Sequence, residues 1–299
     1  MLMNWTIQKQ HANMSIREYL RTVHKFSSRL ITAIIHHGGR IEVNLKQQRV
    51  NYYLKMGDEL TVQFPPEKKS QKMKAEYIPL EIIYEDDHLM VINKPSQIAT
   101  MPSLNDPTGT IANGLLAYYE TYRIPYAVHI VTRLDRDTSG LMLIAKHRYC
   151  HSLLASAHEH GRLKRKYEAI VHGHLQNKTG TINLRIGRKE GSIVERIVSE
   201  TGKVAITHFK VVEILNNHSH IHIDLETGRT HQIRVHFSHL GHPLVGDDLY
   251  GGSIDHMKRQ ALHCCELSFV HPITDDKLTF KLPLPPDMKK FIVDHPYKK

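Results

Sequence analysis

Residues 133–140 read Arg-Leu-Asp-Arg-Asp-Thr-Ser-Gly and lie between two apolar stretches, residues 128–131 and 141–144. Both stretches have the composition of β-strands, so the polar segment is predicted to be a loop on a rigid support, where functional residues are often found. Its alternating arginines and carboxylates allow three interpretations: a metal site, structural ion pairs, or a nucleophilic carboxylate kept ionised by neighbouring cations. The loop alone does not decide between them.

A second polar cluster, residues 226–239, follows a strand-like stretch at residues 221–225. We predict a turn at residues 227–228 and a helix with Thr230 as its N-cap. Arg229 would then lie at the positive end of the helix dipole, which is unfavourable for a cation unless a carboxylate or phosphate is nearby. Taken alone, this motif would favour a surface arginine.

The chain is predicted to divide near residue 65. Ser15 and Ser28 each precede an amphipathic stretch with helical spacing, and short alternating strands follow up to Pro65-Pro66. A charged segment without apolar periodicity comes next. We therefore predict a small α/β domain over residues 13–65, a charged linker over residues 66–77, and an α+β domain with a mixed, mainly antiparallel sheet over residues 78–299.

The larger domain shows several distinct patterns. A hairpin is predicted from residues 82–84 and 89–92, which flank an acidic turn. Helical spacing occurs at residues 111–119, 153–158 and 232–240, and strand patterns occur at residues 167–171, 205–214 and 221–225.

Composition restricts the function classes. The 299 residues carry a formal net charge of +10, which favours a polyanionic partner such as nucleic acid. The three cysteines are odd in number and two are adjacent, so a disulfide framework is not predicted. No apolar stretch approaches the ~20 residues of a membrane-spanning helix, and the first ten residues lack a secretory pattern. We expect a protein of the cytoplasm.

The N-terminal segment carries the motifs Ser28-Arg29, Gly39 and Gly57-Asp58. In this order they resemble the alpha-L RNA-binding module of ribosomal and RNA-modifying proteins, although Asn44-Leu45 stands where that family usually has Asn-Gly. The resemblance implies that Arg29 binds RNA. A generic helix-helix-strand adaptor is the alternative.

The two polar clusters belong to a longer pattern. Residues 133–140 are followed by Arg-Lys-Tyr-Glu-Ala at residues 165–169 and by Gly-Arg-Thr-His-Gln-Ile-Arg at residues 228–234. In this order, with further matches between residues 84 and 283, the segments closely resemble the RluA-like family of RNA pseudouridine synthases. The resemblance therefore covers nearly the whole of the predicted α+β domain.

The resemblance implies an isomerase that detaches uracil from its ribose at N1, turns it and rejoins it through C5, without a cofactor. Asp135 matches the essential aspartate, which would attack the ribose, attack the base or remove a proton. Thr132 and Met101 depart from the family pattern, which usually has histidine at both positions. Neither is assigned to the chemistry. We expect ribosomal RNA as the substrate, with transfer RNA as the alternative, and a monomer.

The resemblance also assigns the other site residues. Arg229 matches the arginine that pairs with the catalytic aspartate, and Tyr167 matches the tyrosine that lies against the target base. Arg133 matches the residue that occupies the space left by the flipped nucleotide. Arg136 and Lys94 complete the predicted RNA contacts.

Two rival functions and a metal site are the alternatives to this interpretation. A non-catalytic RNA-binding or ribosome-assembly factor would not need Asp135, because a carboxylate weakens binding to phosphates. A metal-dependent nuclease would need a carboxylate cluster. His218, His220 and His222 alternate on one strand face and offer zinc or nickel ligands, but no acidic or cysteine ligand stands at a suitable spacing in the sequence. No metal site is predicted.

Overall fold

The two predicted N-terminal helices form, and serine side chains cap both. The structure, a computed structural model, describes residues 1–67, 73–103 and 107–297. Ser15 Oγ accepts a hydrogen bond from the backbone of Glu18 at 3.2 Å, as predicted. The second cap is Ser27 rather than Ser28, because Ser27 is extended and its Oγ accepts from Leu30 N at 3.1 Å, whereas Ser28 is already helical.

These helices pack on a four-stranded sheet, whose strands lie in the order β1 (Leu2–Thr6), β4 (Glu59–Gln63), β2 (Arg40–Val43) and β3 (Lys46–Gln47). Because β1 pairs with β4, the sheet begins at Leu2, upstream of the predicted domain start at residue 13. We call residues 1–64 the N-terminal module. Its elements are β1 Leu2–Thr6, α1 Ile16–Thr22, α2 Ser28–His36, β2 Arg40–Val43, β3 Lys46–Gln47 and β4 Glu59–Gln63.

The N-terminal module packs directly against the rest of the chain. The rings of Phe26 and Tyr149 lie 4.4 Å apart, and Tyr149 Oη donates to the carbonyl of His24 at 2.7 Å. Glu67, inside the predicted linker, accepts a hydrogen bond from the backbone of Arg148 at 2.8 Å. Part of that linker, residues 68–72, lies outside the described residues.

The larger part of the chain is a mixed α+β structure, which confirms the predicted fold class. Its elements are β5 Glu81–Glu85, β6 Leu89–Lys94, α3 Ile111–Thr121, β7 His129–Ile130, β8 Ser139–Ala145, α4 Arg148–Glu159, β9 Lys164–His172, β10 Thr179–Asn183, β11 Ile186–Arg188, β12 Arg196–Val198, β13 Ile206–Leu215, β14 His218–Leu225, α5 Gln232–His239, β15 Leu262–Val270, β16 Lys277–Lys281 and α6 Pro286–Asp294. The predicted hairpin is formed by β5 and β6, and the predicted helices correspond to α3, α4 and α5.

One long sheet supports this part, with the strand order β10-β13-β14-β9-β15-β8-β6-β5. Its neighbouring strands run antiparallel except β15 and β8, which are parallel. At that junction Gly140 has φ +115°, and a Cβ atom there would come within 2.3 Å of the Cys264 carbonyl. A side chain at position 140 would therefore push β15 away from β8, the strand that follows the loop 131–138.

The two faces of the sheet differ. Tyr167, Ala169 and Val171 alternate along β9 and pack in the main core with Ile233 and Phe237 of α5. The intervening residues of β9 lie on the opposite face, as expected for a period of two. None of the helices in the described residues is long and apolar enough to span a membrane.

Candidate active site

The loop 131–138 connects β7 to β8 and carries Asp135. Buried side chains hold its backbone. The carbonyls of residues 134, 136 and 137 accept hydrogen bonds from Thr100 at 2.6 Å, Lys94 at 2.9 Å and Arg259 at 3.3 Å. The position of Asp135 is therefore fixed by groups on three other segments of the chain.

Lys94 is a structural residue. Its side chain is completely buried, and Nζ donates to the carbonyls of Pro95, Ile98 and Arg136 at 2.7, 2.7 and 2.9 Å. Burial lowers the pKa of Lys94 to about 7. The prediction that Lys94 contacts RNA is wrong, because an amino group that donates to three backbone carbonyls and is shielded from solvent cannot reach a phosphate.

Asp135 is held by Arg234. Arg234 Nη1 donates to Asp135 Oδ2 at 3.2 Å, while Nε and Nη2 donate to the two carboxylate oxygens of Asp247 at 2.7 and 2.8 Å. The Asp247 side chain is fully buried, so this bidentate pair fixes the plane of the guanidinium. Burial opposes the charge of Arg234, but hydrogen bonds and the charges of Asp247 and Asp135 raise its pKa overall.

Arg229 occupies a different position from the one predicted. Its Nε donates to the carbonyl of Val204 at 2.9 Å, and the residue is exposed and lines a cavity beside the loop 131–138. The prediction that Arg229 pairs with Asp135 is wrong, and Arg234 forms that pair. Long side chains on a helix point back toward its N-terminus, so an arginine in the first turn of α5 reaches the loop 131–138. The motif at residues 228–234 contains both arginines, and its spacing does not distinguish them.

The turn before α5 adds His231 to the site. His231, and not Thr230, is the N-cap, with the left-handed φ of +57° and no side-chain capping bond. Its Nδ1 lies 2.8 Å from Tyr250 Oη, and its Nε2 lies 3.9 Å from Asp135 Oδ2. Burial lowers the pKa of His231, so the ring is neutral near pH 7. The sequence analysis did not single out this residue.

A cavity of about 470 Å³ lies between the loop 131–138 and the start of α5. Asp135, Tyr167 and Arg229 all line it, so the structure brings the three predicted catalytic residues together. Tyr167 is 4% exposed, and burial raises the pKa of its hydroxyl. The volume suits a small organic group such as a nucleobase.

The cavity lining is cationic. Of the residues that the structure describes, Arg133, Arg165, Arg229 and Arg234 line it, and Asp135 supplies the one carboxylate. The apolar part of the cavity wall includes Leu134, Ile233 and Leu262. Such a lining matches an uncharged aromatic base attached to a charged phosphodiester chain.

The other predicted RNA contacts lie outside this cavity lining. Arg136 is exposed, with Nε 3.3 Å from Asp137 Oδ1, and Arg29 is exposed at the start of α2. A second cleft, of about 580 Å³, lies within the N-terminal module and is lined by Arg17, Arg40 and Arg49. These three arginines are far apart in sequence, and the sequence analysis missed them.

The three alternating histidines of β14 do not act as one set. His218 Nδ1 contacts the carbonyl of Asn216 at 2.6 Å, whereas His220 and His222 lie beside Glu168 of β9. Glu168, the carboxylate beside these two histidines, comes more than 50 residues earlier in the chain and is brought close by strand pairing.

Comparisons with known proteins agree on one family. The RNA pseudouridylate synthase family profile matches residues 88–239, a range that includes Asp135, Tyr167 and Arg234. The uncharacterised RNA pseudouridine synthase YjbO of Bacillus subtilis is 49% identical over 279 residues, which are 93% of this chain and 98% of that protein. Ribosomal large subunit pseudouridine synthase D of Vibrio parahaemolyticus is 42% identical over 78% of this chain and 75% of its own.

A solved structure, human RNA pseudouridylate synthase domain containing 1, is similar in fold. It superposes with a TM-score of 0.58 at 26% identity, covering 70% of this chain and 86% of the human one. The likeness in fold agrees with the family that the sequence comparisons indicate.

Proposed function

This chain belongs to the RNA pseudouridine synthase family, and from that membership we propose that it converts uridines of ribosomal RNA to pseudouridine, with Asp135 as the catalytic carboxylate. The observation that carries the proposal is the pairing of Asp135 with Arg234 at 3.2 Å in a cavity walled by Tyr167. The relatives named ribosomal large subunit pseudouridine synthase D support ribosomal RNA as the substrate class.

The reaction places few demands on the protein. The bond between N1 and the ribose C1′ breaks, a bond between C5 and C1′ forms, the C5 proton leaves, and N1 takes up a proton, so the product has the composition of the substrate. A positioned carboxylate serves as nucleophile or proton acceptor in these reaction steps. Arg234 orients the Asp135 carboxylate and stabilises its charge.

The base must leave the RNA stack to reach Asp135, because its reacting atoms are inaccessible inside a helix. Tyr167 offers an aromatic face for stacking that leaves the hydrogen-bonding edges of uracil free. Arg133 is exposed at the cavity and is suited to fill the space that the extruded nucleotide leaves. His231 completes the polar wall near Asp135.

The N-terminal module supplies a second RNA contact in this proposal. Arg17, Arg40 and Arg49 line its cleft, and Arg29 is exposed at the start of α2. Phosphate neutralisation by such residues provides affinity without reading the base sequence. We propose that the enzyme acts as a monomer, in the cytoplasm, where ribosomal RNA is found.

The test is a reconstituted modification assay. Purified protein is incubated with transcribed domains of large-subunit ribosomal RNA and, separately, with a transfer RNA pool, and pseudouridines are mapped by carbodiimide labelling. We expect modification at discrete uridines of the ribosomal transcripts and none with Asp135→Asn. Modification of transfer RNA alone would overturn the ribosomal assignment, and absence of product from both RNAs would overturn the activity.

A further inference from the structure

A compact group of potential metal ligands lies on the face of the sheet opposite the cavity. Tyr167 points to the cavity, so the next residue of β9, Glu168, points to the other side. Glu168 is the register partner of His222 on β14, and His220 lies two residues further along the same face. Their ligand atoms all lie within 4.8 Å of one another.

We propose that Glu168, His220 and His222 bind a divalent transition-metal ion, with Zn²⁺ as the first candidate. Two imidazoles and one carboxylate suit such an ion better than Mg²⁺ or Ca²⁺, which prefer oxygen ligands. The proposal concerns a second site and does not depend on the assigned reaction.

The geometry is close to that of a metal shell. Zinc lies about 2.0–2.2 Å from nitrogen and oxygen ligands, so tetrahedral ligand atoms are separated by roughly 3.3–3.5 Å. Glu168 Oε2 lies 2.8 Å from His220 Nε2 and 3.8 Å from His222 Nε2. These two distances lie on either side of the ideal separation, and all three ligand atoms lie within 4.8 Å of one another, so adjustment of the side chains would place them around one ion.

A second histidine–glutamate pair, which has no third ligand beside it in the described part of the chain, serves for comparison with this group. His208 Nε2 lies 2.7 Å from Glu226 Oε1, and these side chains are 38% and 52% exposed. The side chains of His220 and Glu168 are 7% and 15% exposed, and His222 adds a third ligand. Among the residues that the structure describes, Glu168, His220 and His222 form the one such group of three.

One side of the ligand group is open to solvent. The His222 side chain is 53% exposed, which leaves an open side for an ion to enter and for water to complete the shell.

Metal binding would tie β9 to β14 directly behind Tyr167. Binding to the folded state alone stabilises a protein by mass action, so the melting temperature should rise with the concentration of free ion. The three ligands must assemble by strand pairing, and the unfolded chain would not present them together.

The experiment uses the full chain, free of affinity tags and stripped with a chelator. Zn²⁺ binding is measured by titration calorimetry, and Co²⁺ binding by visible absorption, which reports tetrahedral coordination. We expect one ion per chain, and a fall in affinity of at least about tenfold in both Glu168→Gln and His222→Asn. His208→Asn is the matched control and should bind as the parent does.

The variants are chosen to preserve the fold. His222 is half exposed, and glutamine at position 168 keeps the shape needed to contact His220. Melting curves without metal verify each variant, and His222→Asn alone decides the matter if Glu168→Gln is unstable. Undiminished binding by a folded His222→Asn, a fall in His208→Asn as large as in His222→Asn, or no binding by the parent at micromolar ion would each overturn the proposal.

Discussion

Arg234 donates a single hydrogen bond to Asp135, of 3.2 Å, while the remainder of its guanidinium forms a bidentate pair with the buried Asp247. Asp247 thus fixes one side of the Arg234 guanidinium, and the other side directs one N–H to Asp135 in the loop 131–138. The Asp135 side chain remains 26% exposed, so the carboxylate is oriented without being sequestered from a substrate.

Replacing Arg234 by lysine should reduce the single-turnover rate of pseudouridine formation by about 10²-fold or more. Lysine keeps a positive charge but lacks the planar fork that contacts both Asp247 and Asp135. Arg229→Lys is the matched control, because Arg229 donates to a backbone carbonyl that an ammonium can also bind. We expect that control to stay within a few-fold of the parent rate. An equal reduction in both variants would show that the guanidinium of Arg234 has no special role.

Tyr167→Phe should bind RNA containing the target uridine better than Tyr167→Leu does. Stacking of a base on an aromatic ring contributes about 1–3 kcal/mol, and phenylalanine keeps the ring. Filter-binding affinities at one fixed salt concentration make the comparison. The stacking role is wrong if the two folded variants bind equally well.

The arginines of the N-terminal module should set part of the salt dependence of RNA binding. Arg17→Gln with Arg49→Gln removes two charges that line the cleft, and Arg29→Gln removes a third on α2. The slope of log affinity against log salt should become shallower by about 0.7–0.9 for each removed charge that neutralises a phosphate in the parent.

Lys289→Gln with Lys290→Gln, two exposed positions of α6, removes the same charge as the first pair and should leave the slope unchanged. Point variants are preferable to deletion of the module, because deletion would uncover Tyr149, against which Phe26 packs. A parental slope in all the arginine variants would exclude the module from RNA contact.

Local patterns predicted the elements well where one periodicity dominated. The hairpin β5–β6 and the helix α3 follow directly from apolar spacing, and the strand pattern at residues 167–171 corresponds to β9. The polar loop between two apolar stretches was also recognisable, because turn-forming residues bounded by strands carry a strong local signal.

Contacts between distant segments were not readable from the sequence. Two arginines in the motif at residues 228–234 are chemically equivalent, and only the path of the chain into α5 selects Arg234 as the partner of Asp135. Lys94 was predicted to contact RNA, because the neighbouring sequence does not indicate that its amino group donates hydrogen bonds to three backbone carbonyls from two segments of the chain. The proximity of Glu168 to His222 likewise depends on strand register.

The stability of the enzyme should fall in acid partly through His147. Its Nδ1 accepts the N–H of Cys150 at 3.2 Å and caps α4, and its Nε2 lies 3.0 Å from His88 Nδ1. Burial lowers the pKa of His147 from 6.5 to about 3. Because the pKa of His147 is lower in the folded state than in the unfolded state, the unfolded state binds the extra proton as the pH falls. The contribution of the neutral, buried His147 to the free energy of unfolding is therefore fully present above pH 6.5 and is lost progressively below it.

His147→Asn isolates this effect, since asparagine is a good N-cap and does not titrate. Free energies of unfolding in urea, measured from pH 7 to pH 4.5, should fall more steeply for the parent than for the variant. The difference should approach about 1.4 kcal/mol per pH unit, the value for one proton. Buried histidines that do not contact His147 contribute equally to both proteins. If the free energy of unfolding fell equally steeply with falling pH in the parent and in the variant, His147 would not be the titrating group.

Asp135→Asn should abolish isomerisation while preserving or improving RNA affinity. The change removes a negative charge from a cationic cavity without removing volume, so binding to phosphates does not suffer. Asp137→Asn is the matched control within the same loop: Asp137 contacts Arg136 at 3.3 Å, and its backbone carbonyl, which the substitution leaves in place, accepts from Arg259. We expect partial activity in that variant. Pseudouridine formation in single turnover and RNA binding at fixed salt are measured for both. If Asp135→Asn formed product at a substantial fraction of the parental rate, the catalytic carboxylate would have to be another residue or the chain would act by binding alone.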